Sequence, residues 1–139
     1  MAARTARTIV IIDDSAQITR LLQGILLQEG YRVALTNDPE LGQELVRRER
    51  PDLVVMDVCM PGLDGWELCQ RIRQEYDIPI LILTVLAEKE CQERTAQCGG
   101  SAHMTKPFPI DEFLQRVRDL LPEGAQPLGA PQPRQQGES

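Results

Sequence analysis

The chain has 139 residues, 42% hydrophobic and 26% charged, which is enough for one domain with a buried core. Its formal charge of −6 argues against a nucleic-acid or anionic-membrane surface, because either partner recruits a basic patch. Nothing approaches the roughly eighteen apolar residues of a membrane span and no polybasic stretch suggests lipid anchoring, so a cytoplasmic protein is expected.

The opening MAARTARTIVIIDD sets arginines before an apolar run that is too short for a signal peptide and meets two aspartates. Ile9–Ile12 therefore reads as a first strand. Ile18, Leu21, Leu22 and Ile25 then recur at helical spacing, and Val33–Leu35 returns to a short apolar run. Asp38 before Pro39 is an N-cap followed by a first-turn proline, opening a helix that carries Leu41, Leu45 and Val46. Leu53–Met56 forms a third strand. Asp64, with Glu67 three residues on, has the spacing of a capping box ahead of a helix carrying Leu68 and Ile72.

Ile80–Leu83 is a fourth strand. The segment AEKECQERTAQC after it is helical in composition but has no large apolar residue, so it is expected to bury little and to be loosely anchored. Ala102–Thr105 is placed as a fifth strand because the alternation requires one before the last helix, whose stripe of Ile110, Phe113, Leu114, Val117, Leu120 and Leu121 is the strongest in the chain. Alternation of this kind implies a parallel sheet with helices on both faces. The domain is placed at residues 1–122, and the Pro-, Gly- and Gln-rich segment 123–139 reads as a flexible tail or the start of a linker. Cys59, Cys69, Cys91 and Cys98 form no CxxC pair and His103 is the only histidine, so reduced, partly buried thiols fit better than a zinc site.

Ligands of an open parallel sheet collect at the carboxyl ends of its strands. There the chain puts Asp13 and Asp14 after the first strand, Asp57 after the third, Thr84 at the end of the fourth and Lys106 after the fifth. Crowded carboxylates repel, and a divalent cation relieves the repulsion. Magnesium suits an all-oxygen site that also receives phosphate, with manganese as the alternative. Taken singly, each residue is better explained as a cap, turn or solvated loop residue. Together, they end four different strands on one rim, with Asp57 as the candidate nucleophile and Thr84 and Lys106 as contacts to phosphoryl oxygens.

The stretches IVIIDDS, VVMDVCMPGLDGWEL, PILILT and MTKPF occur in that order, and over about Thr8 to Leu121 the chain resembles the receiver domains of two-component response regulators. The resemblance implies a flavodoxin-like (βα)5 doubly wound sheet in strand order 2-1-3-4-5 and phosphorylation at Asp57. It implies magnesium held by Asp14, Asp57 and the Cys59 backbone carbonyl, with Asp13 acting through water, and phosphoryl contacts from Thr84 and Lys106. It also implies a cis peptide between Lys106 and Pro107. The expected donor is a histidine kinase or phosphotransfer protein, and the expected output is a downstream protein contact through the fourth helix, fifth strand and fifth helix. A phosphorylation-dependent homodimer is a further option. Beyond self-phosphorylation and self-dephosphorylation, no enzyme activity is implied.

The chain departs from the family pattern in places. His103 stands where receivers usually carry a Tyr or Phe that swings inward, and it is read as a candidate switch residue beside the plain alternative of a strand-end histidine. Val85 puts branched bulk where a small residue is usual. Cys59 and Leu86 occupy positions that tune dephosphorylation and hold a hydrolytic water poorly, so slow self-dephosphorylation is expected. Two other readings differ from the receiver reading in what they require. A haloacid-dehalogenase-type phosphatase would carry its nucleophile in a DxD motif on the first strand, whereas Asp13 and Asp14 are adjacent and Asp57 lies on the third. A purely structural flavodoxin-like domain needs no acidic cluster.

Overall fold

The computed structural model describes residues 6–60 and 62–121. Five strands, β1 (Thr8–Ile12), β2 (Arg32–Thr36), β3 (Leu53–Met56), β4 (Ile80–Thr84) and β5 (Ala102–Thr105), form one parallel sheet in the order β2-β1-β3-β4-β5. Between and after them run α1 (Ala16–Gln28), α2 (Gly42–Glu49), α3 (Gly65–Glu75), α4 (Glu88–Cys98) and α5 (Ile110–Leu120). This is the parallel sheet with helices on both faces expected from the alternation, in the flavodoxin-like strand order that the resemblance implies. No helix among the described residues is long and apolar enough to cross a membrane. Segment 123–139, expected to be a tail or linker, lies outside the described residues.

The strands are apolar on both faces because each face has its own core. Ile9, Ile11, Leu53, Val55, Leu81, Leu83 and Met104 pack with Leu22 and Leu26 of α1 and Phe113 and Val117 of α5. The alternate residues Val10, Ile12, Val54, Met56, Ile80 and Ile82 pack with Leu45, Val46, Leu68, Cys69, Ile72, Cys91 and Cys98 of α2, α3 and α4. Residue parity along each strand thus decides the layer.

The helix starts are locally encoded. Ser15 caps α1 by accepting from the Ile18 N–H, and Asp64 caps α3 by accepting from the Trp66 N–H. Glu67 does not complete a reciprocal box with Asp64; its carboxylate takes the Arg71 guanidinium at 2.7 Å. Asp38 caps a short 3-10 turn, Pro39–Leu41, that leads into α2.

Among the described residues, three members of the helical stripes are exposed. Leu21, Leu41 and Ile110 are 51%, 54% and 37% exposed, and the buried edge of α1 runs through Thr19, Leu22 and Leu26 instead. Nor is α4 unanchored, because Cys91, Thr95 and Cys98 are all buried. Small side chains let α4 approach the sheet closely. It ends at Gly99, whose φ of 86° is left-handed, with the Gly100 N–H bonding back to the Thr95 carbonyl.

Gly65, the first residue of α3, holds the helix against the chain just after β3. A Cβ there would lie 2.3 Å from Val58 Cα. Gly65→Ala should therefore destabilise the domain by about 3 kcal/mol, an overpacking against backbone that cannot rotate away. Urea unfolding checks this; a change within experimental error would show that the loop relaxes freely.

Candidate functional site

The register of the sheet brings the strand ends level. Ile12 pairs with both Thr36 and Met56, and Thr84 pairs with Thr105, so Asp13, Asp57, Thr84 and Lys106 reach one rim. The Asp57 N–H donates to the Ile12 carbonyl at 3.0 Å and the Lys106 N–H to the Thr84 carbonyl at 2.7 Å, extending both ladders into the site. Backbone pairing, rather than long flexible loops, sets the positions of these side chains.

Lys106 holds the centre. Its Nζ lies 2.9 Å from Asp13 Oδ2 and 2.9 Å from Asp57 Oδ2. The remaining oxygens are also engaged: the Ser15 N–H donates to Asp13 Oδ1 at 3.0 Å, and the Cys59 N–H donates to Asp57 Oδ1 at 2.9 Å. Asp13 and Asp57 are buried, while Asp14 is exposed at the mouth. One carboxylate oxygen from each of the three lies within 4.8 Å of the others. Such an all-oxygen set fits a hard divalent cation such as magnesium.

Thr84 is fully buried, and its Oγ1 lies 3.3 Å from Cys59 Sγ and 3.5 Å from the Leu86 N–H. Leu86 packs against the core on the α2, α3 and α4 side, and Val85 is 68% exposed on the surface. His103 is half-buried on β5, where its carbonyl accepts from Arg116 at 3.4 Å. His103 lines a pocket together with Pro107, Phe108 and Glu112. The Lys106–Pro107 peptide is cis.

Two supports were not singled out from the sequence. Asn37, just past β2, donates from Nδ2 to the Asp13 carbonyl at 2.8 Å and to Thr19 Oγ1 at 3.0 Å, tying the site's first loop to β2 and α1. Ser15 serves both the Asp13 carboxylate and the α1 cap. Asn37 follows a strand end, so the rule that found Asp57 could have found it.

Residues 9–118 match the response regulator receiver domain family. The chain belongs to that family. A relative from Porphyra purpurea named "Probable transcriptional regulator ycf27" is 40% identical over 114 residues, covering 81% of this chain and 46% of its own. The receiver thus spans about half the length of the curated relatives it matches. Among solved structures, the BeF3-activated N-terminal receiver domain of Klebsiella pneumoniae RstA superposes with a TM-score of 0.79 at 29% identity, covering 84% of this chain and 99% of that one. A two-component response regulator from Clostridium difficile superposes equally well, with a TM-score of 0.79 at 25% identity over 83% of this chain and 95% of that one.

The electrostatics of the receiver's site follow from burial and pairing. Burial pushes the Asp13 carboxyl above its usual 3.8, against the pull of the Lys106 hydrogen bond. For Lys106, burial alone would lower the ammonium, but Asp13 and Asp57 together outweigh it and the pKa rises above 10.5. The raised lysine pKa means that its pairing stabilises the fold below the ordinary lysine value and is lost as pH climbs through the raised one. Asp13, also raised, costs stability as pH rises through the carboxyl range. Lys106→Ala leaves two buried carboxylates facing each other and should cost about 2 kcal/mol near neutral pH. The loss should shrink toward acid, as Asp13 takes its proton, and toward strong alkali, where wild type loses the charge itself. Urea midpoints across pH measure it, and a pH-independent difference would contradict the pairing.

Proposed function

We propose that this receiver domain is a switch phosphorylated on Asp57 by a histidine kinase or phosphotransfer protein. The observation that carries the reading is the Lys106 ammonium set 2.9 Å from both Asp13 and Asp57, beside a buried Thr84 hydroxyl. In the transfer, a carboxylate oxygen of Asp57 attacks the phosphorus of a phosphohistidine. The new P–O bond forms as the P–N bond breaks, and the departing imidazole keeps the electron pair and takes a proton from solvent. Asp14, Asp57 and the Cys59 carbonyl, with Asp13 through water, would hold a magnesium ion whose charge offsets that of the phosphoryl oxygens.

Lys106 is placed to follow the phosphoryl group, exchanging its bond to Asp57 for one to a phosphoryl oxygen. Thr84 would turn from Cys59 Sγ to another phosphoryl oxygen. Val85–Ala87 joins Thr84 directly to α4, so this turn biases the position of α4 between two conformations. The half-buried His103 on the neighbouring strand would fill the space that Thr84 vacates. We assign the output to a protein partner or a further domain that reads α4, β5 and α5. Neither Cys59 nor Leu86 offers a side chain that would orient a hydrolytic water, and this favours a long-lived phosphoryl group.

Incubation with acetyl phosphate and magnesium should add one phosphoryl group by intact mass, and Asp57→Asn or omission of magnesium should abolish the addition. An unmodified wild type would overturn the proposal. His103→Ala should still accept the phosphoryl group but lose the beryllofluoride-dependent change in hydrogen exchange across α4. Retention of the wild-type change would remove His103 from the switch.

A further inference from the structure

The function proposed above uses Cys59 alone among the four cysteines. Two of the others meet where α3 packs against α4. Cys69 of α3 and Cys98, the last residue of α4, have their Sγ atoms 2.9 Å apart although 29 residues separate them in sequence. Both are free thiols, with accessibilities of 0% and 4%. The contact is reinforced: Cys69 Sγ donates to the Cys98 carbonyl at 3.5 Å, and Arg73, one turn along α3, donates to the Gly99 carbonyl at 2.9 Å.

We propose that Cys69 and Cys98 form a redox modification site, a dithiol that peroxide closes into a disulfide joining α3 to the end of α4. The sulfurs lie within about 1 Å of the bonded separation of roughly 2.05 Å, so closure asks for side-chain adjustment rather than helix movement. An oxidant can reach them, because Cys98 lines a surface pocket of about 350 Å³ together with Trp66, Gln70, Arg94 and Gln97. Cys98 is also the nucleophile of the pair, because it and not Cys69 lines that pocket. The hydrogen bond it shares with Cys69 Sγ, against the opposing effect of burial, holds its pKa down to about 7; the Gly100 N–H and the Arg73 charge act the same way.

The chemistry balances with hydrogen peroxide as oxidant. The Cys98 thiolate attacks one peroxide oxygen, the O–O bond breaks, and the departing hydroxide is protonated to water, leaving a sulfenic acid. Cys69, losing its proton, then attacks Cys98 Sγ. The S–O bond breaks, and the second hydroxide takes that proton to become water. Two thiols and one peroxide yield one disulfide and two waters. Closure would pin the C-terminal end of α4, the helix that begins just after Thr84. Formation of the disulfide does not depend on phosphorylation of Asp57, so the two proposals fail separately.

The test treats the full chain carrying Cys59→Ser, which removes the exposed thiol, with hydrogen peroxide, and then alkylates it after unfolding. Cys91 serves as an internal control, because it is on the same helix and equally buried. A loss of two hydrogens, a Cys69–Cys98 linked peptide from monomeric protein, and a still alkylatable Cys91 are expected. With Cys69→Ser added, which keeps a hydrogen-bonding group beside Cys98, dimedone should trap a sulfenic acid at Cys98 at least tenfold faster than at Cys91. Cys69 and Cys98 both still alkylatable, or a linkage only between chains, would overturn the proposal. So would oxidation of Cys98 no faster than that of Cys91.

Discussion

The site depends on one constraint: two buried carboxylates, just past the ends of the neighbouring strands β1 and β3, share a single ammonium. Asp13 and Asp57 would repel strongly if Lys106 were elsewhere, because burial weakens the screening that water supplies at the surface. The lysine's two bonds of equal length make it both the local counter-charge and the group best placed to meet an anion arriving at Asp57. Asp14, exposed at the mouth, adds a third carboxylate that the lysine does not neutralise. The site is left short of positive charge, which suits a divalent cation.

The remainder of the fold keeps those three charges in place. Parallel pairing brings the strand ends level, both faces of the sheet are sealed by apolar residues of alternate parity, and Gly65 lets α3 press on the backbone just past Asp57. Asn37 and Ser15 hold the first loop from the other side. The acceptor end of the site is therefore built on rigid elements. By contrast, Thr84 is held by a thiol at 3.3 Å and a long amide contact at 3.5 Å, weak bonds that a phosphoryl oxygen could replace. Rigidity at Asp57 and loose tethering at Thr84 are what the proposed switch requires.

Most of this was legible in the sequence because strand ends are marked by abrupt changes from apolar to acidic or hydroxyl residues, as at Ile12–Asp13, Met56–Asp57 and Leu83–Thr84. Strand order was less directly encoded, and came from the resemblance rather than from periodicity. Periodicity also overcounted the core, because Leu21 and Leu41 keep helical spacing yet face solvent. The anchoring of α4 was misread for a different reason. Its buried residues are two cysteines and a threonine, whose small volumes register weakly on a hydrophobic scale but permit close helix-to-sheet approach. The Cys69–Cys98 contact had no local signal at all, since α3 and α4 meet only in the folded chain.

The central claim is that one carboxylate of the cluster, Asp57, forms a covalent bond to phosphorus while Asp13 and Asp14 do not. Borohydride reduces an acyl phosphate to the alcohol, so treating the acetyl-phosphate-modified chain with borohydride and mapping homoserine by peptide mass spectrometry reads the acceptor directly. The account predicts homoserine at position 57 alone. Homoserine at position 13 or 14, or none from a chain that has gained phosphate, would contradict it.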